Sequence, residues 1–360
     1  MKLLPSEDLR HVLQHAGSAL SELRNSRLFI TGGTGFFGKW LLETFAYANR
    51  ELSLNAKAVV LSRNPGKFLA EMPHLAAESC LEFIHGDVTN FAFPPGEFQW
   101  IIHAATESST DLNARDPLAM LDTTIDGTRR VLDLAAGGGG GACRGFLLTS
   151  SGAVYGPQPP GLTHIPETYT GAPDSMDPKA AYANGKRLAE HLCCLYHEKH
   201  NVPAKIARCF AFVGPHLPLD KHFAIGNFIS AALRGEPLLI QGDGTPLRSY
   251  LHAADLALWL WTLLLKGHSG TAYNVGGDEA VSIAALAQRV CAVLGSSSRV
   301  EIAKNPVPGA PVQRYLPDLG RIVQQFGLQP HITLDQAILR TAEWAAHWHQ
   351  LRPTREHNPC

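Results

Sequence analysis

Arg27-Leu-Phe-Ile-Thr-Gly-Gly-Thr-Gly-Phe-Phe-Gly-Lys-Trp-Leu-Leu-Glu43 decides the fold. Residues 27–30 are a short apolar run that reads as a buried first strand. Glycines follow at 32, 35 and 38, and a helical pattern opens at Lys39. Strand, glycines and helix in this order form a dinucleotide-binding turn. Gly32 permits the tight turn, Gly35 lets backbone approach a pyrophosphate, and Gly38 lets helix and strand pack closely. The helix N-terminus offers unpaired N–H groups and a partial positive charge to phosphate. Thr34, Phe36 and Phe37 belong to the same candidate cofactor site.

The second strand, Ala58-Val-Val-Leu61, ends at Ser62-Arg63-Asn64. An NAD site wants a carboxylate at this place for the ribose 2′-hydroxyl, whereas a 2′-phosphate wants an arginine. Arg63 stands there beside Ser62 and no acid does, which favours NADP(H) and leaves NAD(H) possible. His85-Gly-Asp-Val88 closes a third strand, with Asp87 placed to reach an adenine amino group and Val88 beside it. Trp100-Ile-Ile-His-Ala-Ala105 is the fourth strand, whose small Ala104 and Ala105 let backbone lie near the cofactor. His103 reads as a packed strand histidine.

Tyr182 and Lys186 lie at i and i+4, one turn apart on one helix face. A nearby cation favours phenolate and moves a tyrosine pKa from about 10 toward neutrality. A tyrosine so tuned exchanges a proton at a carbonyl or alcohol carbon. The pair follows Thr149-Ser-Ser151, the end of another predicted strand, and lies far downstream of the glycine turn. The combination marks Ser151, Tyr182 and Lys186 as catalytic candidates, with Tyr182 and Lys186 also on the cofactor.

From 27 to about 150 strands and helices alternate, which predicts a parallel doubly wound α/β sheet of Rossmann type. Residues 1–26 read as an N-terminal helical extension with Ser6 as its cap. Residues 27–215 read as the NAD(P)-binding domain, with residues 205–213 as its sixth strand and a return of the chain at about 250–278 completing it. Residues 216–249 and 279–350 read as a smaller C-terminal α/β substrate lobe, and 351–360 as a tail. The apolar run 256–265 is too short to span a bilayer and reads as a buried helix.

The chain has 360 residues, 45% of them hydrophobic, and a formal net charge of −1. It has no basic stripe, so nucleic acid is not an expected partner, and neither is a membrane. Cys80, Cys143, Cys193, Cys194, Cys209, Cys291 and Cys360 have irregular spacing and no CxxC, which predicts reduced thiols and a cytoplasmic location. The 17 histidines are scattered, so no metal site is assigned.

With these motifs assembled, the chain resembles the extended short-chain dehydrogenase/reductases, the nucleotide-sugar epimerase/dehydratase/reductase group, over roughly residues 27–347. The landmarks are Thr31 to Gly38, Ser150-Ser-Gly-Ala-Val-Tyr-Gly156, Tyr182 with Lys186, Gly242-Asp-Gly244 with Arg248, His252-Ala-Ala-Asp-Leu256 and Arg314-Tyr-Leu-Pro-Asp318. The resemblance implies a Ser151/Tyr182/Lys186 catalytic trio, a nucleotide-diphosphate sugar substrate held by Arg248 and Arg314, and a homodimer. Thr106 and Asn227, the latter near the start of a helix, are further candidates for substrate contact.

Three departures stand out. Dehydratases of this group carry an acidic pair after the catalytic Ser/Thr, where this chain has Gly152 and Ala153. A frequent Asn in the sixth-strand region is Ala211, so His216 or His222 is expected to help rebuild the sugar pocket. An Asn that supports the active site is replaced near Thr124. The expected activity is NADPH-dependent reduction at C4 of a 4-keto-6-deoxy sugar nucleotide. The alternative is a 4-epimerase with retained cofactor. A 4,6-dehydratase and a catalytically silent NADP-binding regulator are further alternatives.

Overall fold

The computed structural model describes residues 3–105, 116–138, 143–220 and 223–350. Its strands begin with β1 (Arg27–Thr31), β2 (Lys57–Ser62), β3 (Leu81–His85), β4 (Trp100–His103), β5 (Gly145–Ser151) and β6 (Ala204–Cys209). Next come β7 (Phe212–Val213), β8 (Leu238–Ile240), β9 (Leu247–Arg248), β10 (Leu251–His252) and β11 (Thr271–Val275). Seven strands form one sheet in the order β3-β2-β1-β4-β5-β6-β11, every neighbouring pair parallel. The chain runs outward in one direction from β1 and then back across it, the doubly wound arrangement.

Side chains alternate across the strands with period two. Leu28 and Ile30 face one core, together with Val60, Ile102 and Leu147. Phe29 faces another, with Val59, Ile101, Phe146 and Leu148. Both faces therefore need helices, and both have them. The first face carries α1 (Ser6–Leu20) and α2 (Phe36–Glu51). Two short helices, α3 (Pro65–Glu71) and α4 (Pro73–Ala76), follow β2. The second face carries α5 (Pro117–Asp133) and α6 (Ala181–His200).

Past 200 come α7 (Ala224–Arg234) and α8 (Ala253–Lys266), the latter buried along most of its length. Residues 256–265 are apolar except for Thr262, which closes on Leu258 O within the helix, because α8 packs on the sheet on one side and on α1 and α2 on another. Trp259 and Trp261 are fully enclosed, and burial of such a side chain stabilises by about 1.5–3 kcal/mol or more. Ser6 does not cap α1; Pro5 holds the cap position without a side-chain bond, while Glu7 and Asp8 occupy the first turn and complement the helix dipole.

The remaining elements are β12 (Val281–Ser282), α9 (Ile283–Leu294), β13 (Val300–Ile302), β14 (Arg314–Tyr315), α10 (Gly320–Phe326) and α11 (Leu334–Gln350). A small sheet in the order β12-β9-β14 and a β13-β8 pair lie apart from the central sheet. The expected sixth strand over 205–213 is broken after Cys209. Phe210 N instead donates to Val275 O, and Phe212–Val213 leaves to pair with β10. This break aims residues 209–212 into the cleft beside the C-terminal segment.

Candidate active site

The glycine turn is shaped by backbone crowding. Gly32 has φ 72°, and a Cβ there would lie 2.4 Å from the Ala104 carbonyl carbon. A Cβ on Gly38 would lie 2.3 Å from Gly32 O, so α2 packs directly on the turn. Gly35 differs. Its added Cβ would meet only Gly32 O at an ordinary 3.5 Å, so its bareness relieves no clash and instead opens the loop to the cleft. Gly35 is also the N-cap of α2, with no side-chain bond at the cap.

A cleft of about 260 Å³ beside this turn is lined by Thr34, Ser62, Arg63, Asp87, Val88, Ala104 and Ala105. Asp87 Oδ1 accepts from Thr89 N at 3.0 Å and Thr89 Oγ1 at 2.7 Å. These bonds, with Arg63 nearby, hold the carboxyl below its usual range. Bare backbone N–H groups at a helix N-terminus, a guanidinium donor and a carboxylate acceptor together fit an adenine dinucleotide.

The larger cavity, about 630 Å³, shares Gly32, Gly35 and Ala104 with that cleft and adds Phe36, Phe37, Ser151, Tyr182, Lys186 and Arg248. Ser151 ends β5, and Tyr182 and Lys186 come from the first turns of α6. Lys186 Nζ donates to Thr149 O at 2.7 Å and lies 6.0 Å from the Tyr182 ring centre. Burial pushes the ammonium down to about 8. The expected lowering of Tyr182 does not appear. Burial pushes this phenol up to about 12, opposed by a hydrogen bond with Ser151. Desolvation of the anion outweighs the help it receives.

Behind the trio lies a buried polar network. Ser150 Oγ donates to Glu190 Oε1 at 2.5 Å, and Arg208 Nη2 donates to Glu190 Oε2 at 2.7 Å. Arg208 also donates to Tyr155 Oη at 2.9 Å, and Tyr155 donates to Asn274 Oδ1 at 2.7 Å. Charged and neutral partners together hold β5, α6, β6 and β11 in fixed relation. His103 is packed as expected, bonded to Thr31 Oγ1 at 2.8 Å and Thr128 Oγ1 at 3.0 Å, and burial pushes it down to about 3.

Other candidates fall elsewhere. Asn227 is an exposed residue inside α7 and does not line the cavity. Arg314 is outside the lining as well and donates to Pro160 O at 3.2 Å. Thr106 lies outside the described residues, as does His222. His216 does not reach the sugar side: its Nε2 lies 3.1 Å from Glu43 Oε1, and it is buried. Thr124 Oγ1 donates to Met120 O at 2.7 Å, closing on its own helix rather than on the trio. Ala211 does line the cavity. Among the described residues no group of His, Cys, Asp and Glu is arranged for a metal, and no helix is long and apolar enough to cross a membrane. Sequence reasoning missed Phe210, Tyr250 and Tyr315. Tyr315 sits within the Arg314–Asp318 landmark, where the arginine drew attention instead.

Residues 28–276 match the family described as "NAD dependent epimerase/dehydratase family". UDP-glucuronic acid decarboxylase 3 of Arabidopsis thaliana is 31% identical over 318 residues, covering 87% of this chain and 87% of that protein. The structure of DesIV, a dTDP-glucose 4,6-dehydratase from Streptomyces venezuelae with NAD and TYD bound, superposes with a TM-score of 0.75 at 24% identity, covering 89% of this chain and 97% of that one. UDP-glucuronic acid 4-epimerase from Bacillus cereus, in complex with UDP-glucuronic acid and NAD, gives 0.75 at 23%, covering 89% and 99%.

Proposed function

The chain belongs to the NAD-dependent epimerase/dehydratase family, and on that premise we propose that it is an NADP(H)-dependent oxidoreductase that reduces C4 of a 4-keto-6-deoxy sugar nucleotide. The observation that carries the reading is the convergence of Ser151, Tyr182 and Lys186 on one cavity that the glycine turn also lines. When bound, a nicotinamide dinucleotide supplies the hydride to the sugar carbon. Tyr182 gives the proton to the oxygen on that carbon, and Ser151 donates a hydrogen bond to the same oxygen. Lys186, fastened to Thr149 O, holds the first turn of α6 in place and keeps a cation beside the phenol. Arg248 presents a fork of donors that suits a diphosphate.

Arg63 in the adenosine cleft supports the phosphorylated cofactor. Gly152 and Ala153 leave no carboxylate next to Ser151 to drive water loss, which favours reduction over 4,6-dehydration. A second reading rests on the names of the curated relatives. Oxidation at C4 of a uronic acid would place a ketone β to its carboxylate, and loss of CO₂ follows readily from such a β-keto acid. Absorbance at 340 nm separates these readings across CDP-, dTDP-, UDP- and GDP-sugars. Stoichiometric NADPH consumption with a 4-keto-6-deoxy sugar supports the reductase. Turnover of UDP-glucuronic acid with CO₂ release and no net NADPH use supports the second reading. Purified protein that carries tightly bound nicotinamide and inverts C4 is an epimerase. No turnover with any of them refutes all three.

A further inference from the structure

We infer that Tyr315 is a positioning residue for the reaction proposed above: its phenol engages the Ser151 hydroxyl and thereby fixes where that hydroxyl's only proton points. The inference rests on that proposed reading and adds a fourth side chain to it. Tyr315 arrives from β14 in the small β12-β9-β14 sheet, and its hydroxyl lies 3.4 Å from Ser151 Oγ.

The hydrogen-bond inventory of Ser151 gives the phenol its role. A serine hydroxyl has one proton and two acceptor sites. Ala153 N already donates to Ser151 Oγ at 3.1 Å. The phenol's single proton has two acceptors in reach, Cys209 O at 3.5 Å and Ser151 Oγ at 3.4 Å, and when it turns to Ser151 it fills the second acceptor site. The Ser151 proton then serves only as a donor, toward Tyr182 or the reacting oxygen. Ser151 is bonded to Tyr182 and stabilises its ionised form. Burial pushes the Tyr315 phenol up and keeps it protonated, opposed by its bond with Ser151 and helped by the neighbouring Tyr182. The other titratable groups around these hydroxyls are Lys186 from α6, Cys209 from β6 and Arg248 from β9.

The packing reserves this place for the phenol. The Tyr315 ring lies 4.6 Å from the Phe210 ring centre, and the Arg248 guanidinium stands 5.7 Å from the Tyr315 ring. A Cβ built on Gly152 would come 2.8 Å from the Tyr315 hydroxyl and 2.7 Å from Phe210 Cζ. The space that a side chain after Ser151 would take is filled by a neutral hydroxyl carried on another strand. Bare Gly152 and Tyr315 are therefore one arrangement, in which a donor that stays protonated stands where a carboxylate would ionise.

Tyr315→Phe tests this, because it keeps both ring contacts and removes only the hydroxyl. The probes are NADPH with dTDP-4-keto-6-deoxyglucose and NAD⁺ with UDP-glucuronic acid, on the full chain. Expected is a fall in kcat of roughly three- to tenfold, as for one lost hydrogen bond between neutral groups, with KM, cofactor affinity and melting temperature little changed. The pH at half-maximal rate, where Tyr182 acts as base, should move upward, since its phenolate loses a well-oriented donor. In a Ser151→Ala background Tyr315→Phe should have no further effect on kcat. Unchanged kcat and pH profile in an active enzyme overturn the inference alone, and so does full additivity with Ser151→Ala. A wild-type chain inactive on both probes removes the proposed reaction and this role with it.

Discussion

Lys186 Nζ donates to the carbonyl oxygen of Thr149 at 2.7 Å, which pins the first turns of α6 to the end of β5. That bond sets the separation between Tyr182, on the helix, and Ser151, two residues beyond Thr149 on the strand. Tyr182→Phe should leave this fastening and cofactor binding intact while turnover falls by about 10²–10⁴-fold, the usual contribution of a general acid or base. Single-turnover rates together with cofactor binding by fluorescence check it. Retention of most activity would remove Tyr182 from the mechanism.

Arg63 is expected to read the 2′-phosphate of the cofactor from its place in the adenosine cleft. Losing one charge-assisted contact costs about 1.5–3 kcal/mol, roughly a 10- to 150-fold weaker complex. Calorimetry of Arg63→Ala should show that loss for NADPH and almost none for NADH. Equal losses for both would assign the selectivity elsewhere.

Stability should fall in acid between about pH 6.5 and pH 3. Burial holds His103 and His252 down to about 3 in the folded chain, whereas an unfolded histidine titrates near 6.5. In this window the unfolded state binds more protons, so lowering the pH favours unfolding, by about 1–2 kcal/mol per histidine between pH 6.5 and 5. Asp8, raised to about 6 by burial, acts in the opposite direction between its ordinary 3.8 and 6. Urea unfolding across this range should show the net acid loss. The slope should flatten in a His103→Gln, His252→Gln double variant that still folds.

A dimer built on α5 and α6 is a further expectation. The two helices pack on each other, yet Leu118 is 71% exposed and Leu188 43%. Two copies related by a two-fold axis could cover these residues in a four-helix contact. Light scattering at micromolar concentration should give twice the chain mass. A monomer with full activity would contradict the dimer.

Much of this molecule was legible in the sequence wherever one local pattern fixed one local structure. The glycine turn and the short apolar runs 27–30 and 58–61 carry their own signals. The Tyr182–Lys186 spacing places both groups on one helix face. What escaped was set by contacts distant in sequence. The sixth strand breaks after Cys209 because Phe210 finds Val275, a partner on another strand. Glu190 looks like an ordinary helix surface acid until Ser150 and Arg208 close on it. The helical spacing predicts that Lys186 tunes Tyr182 downward, but burial pushes the phenol up, and what opposes the burial is its bond with Ser151. Tyr315 meets Ser151 only through the small β12-β9-β14 sheet, which no run of residues announces.

The most direct test of the account follows the hydride. NADPH deuterated at the transferable nicotinamide position is incubated with dTDP-4-keto-6-deoxyglucose and the full chain, and the product is read by NMR. Deuterium is expected at C4 of the sugar with wild type, in one stereochemical sense, and only at trace levels with Tyr182→Phe. Deuterium at another carbon, or an unlabelled sugar recovered from a chain that binds NADPH, would contradict it.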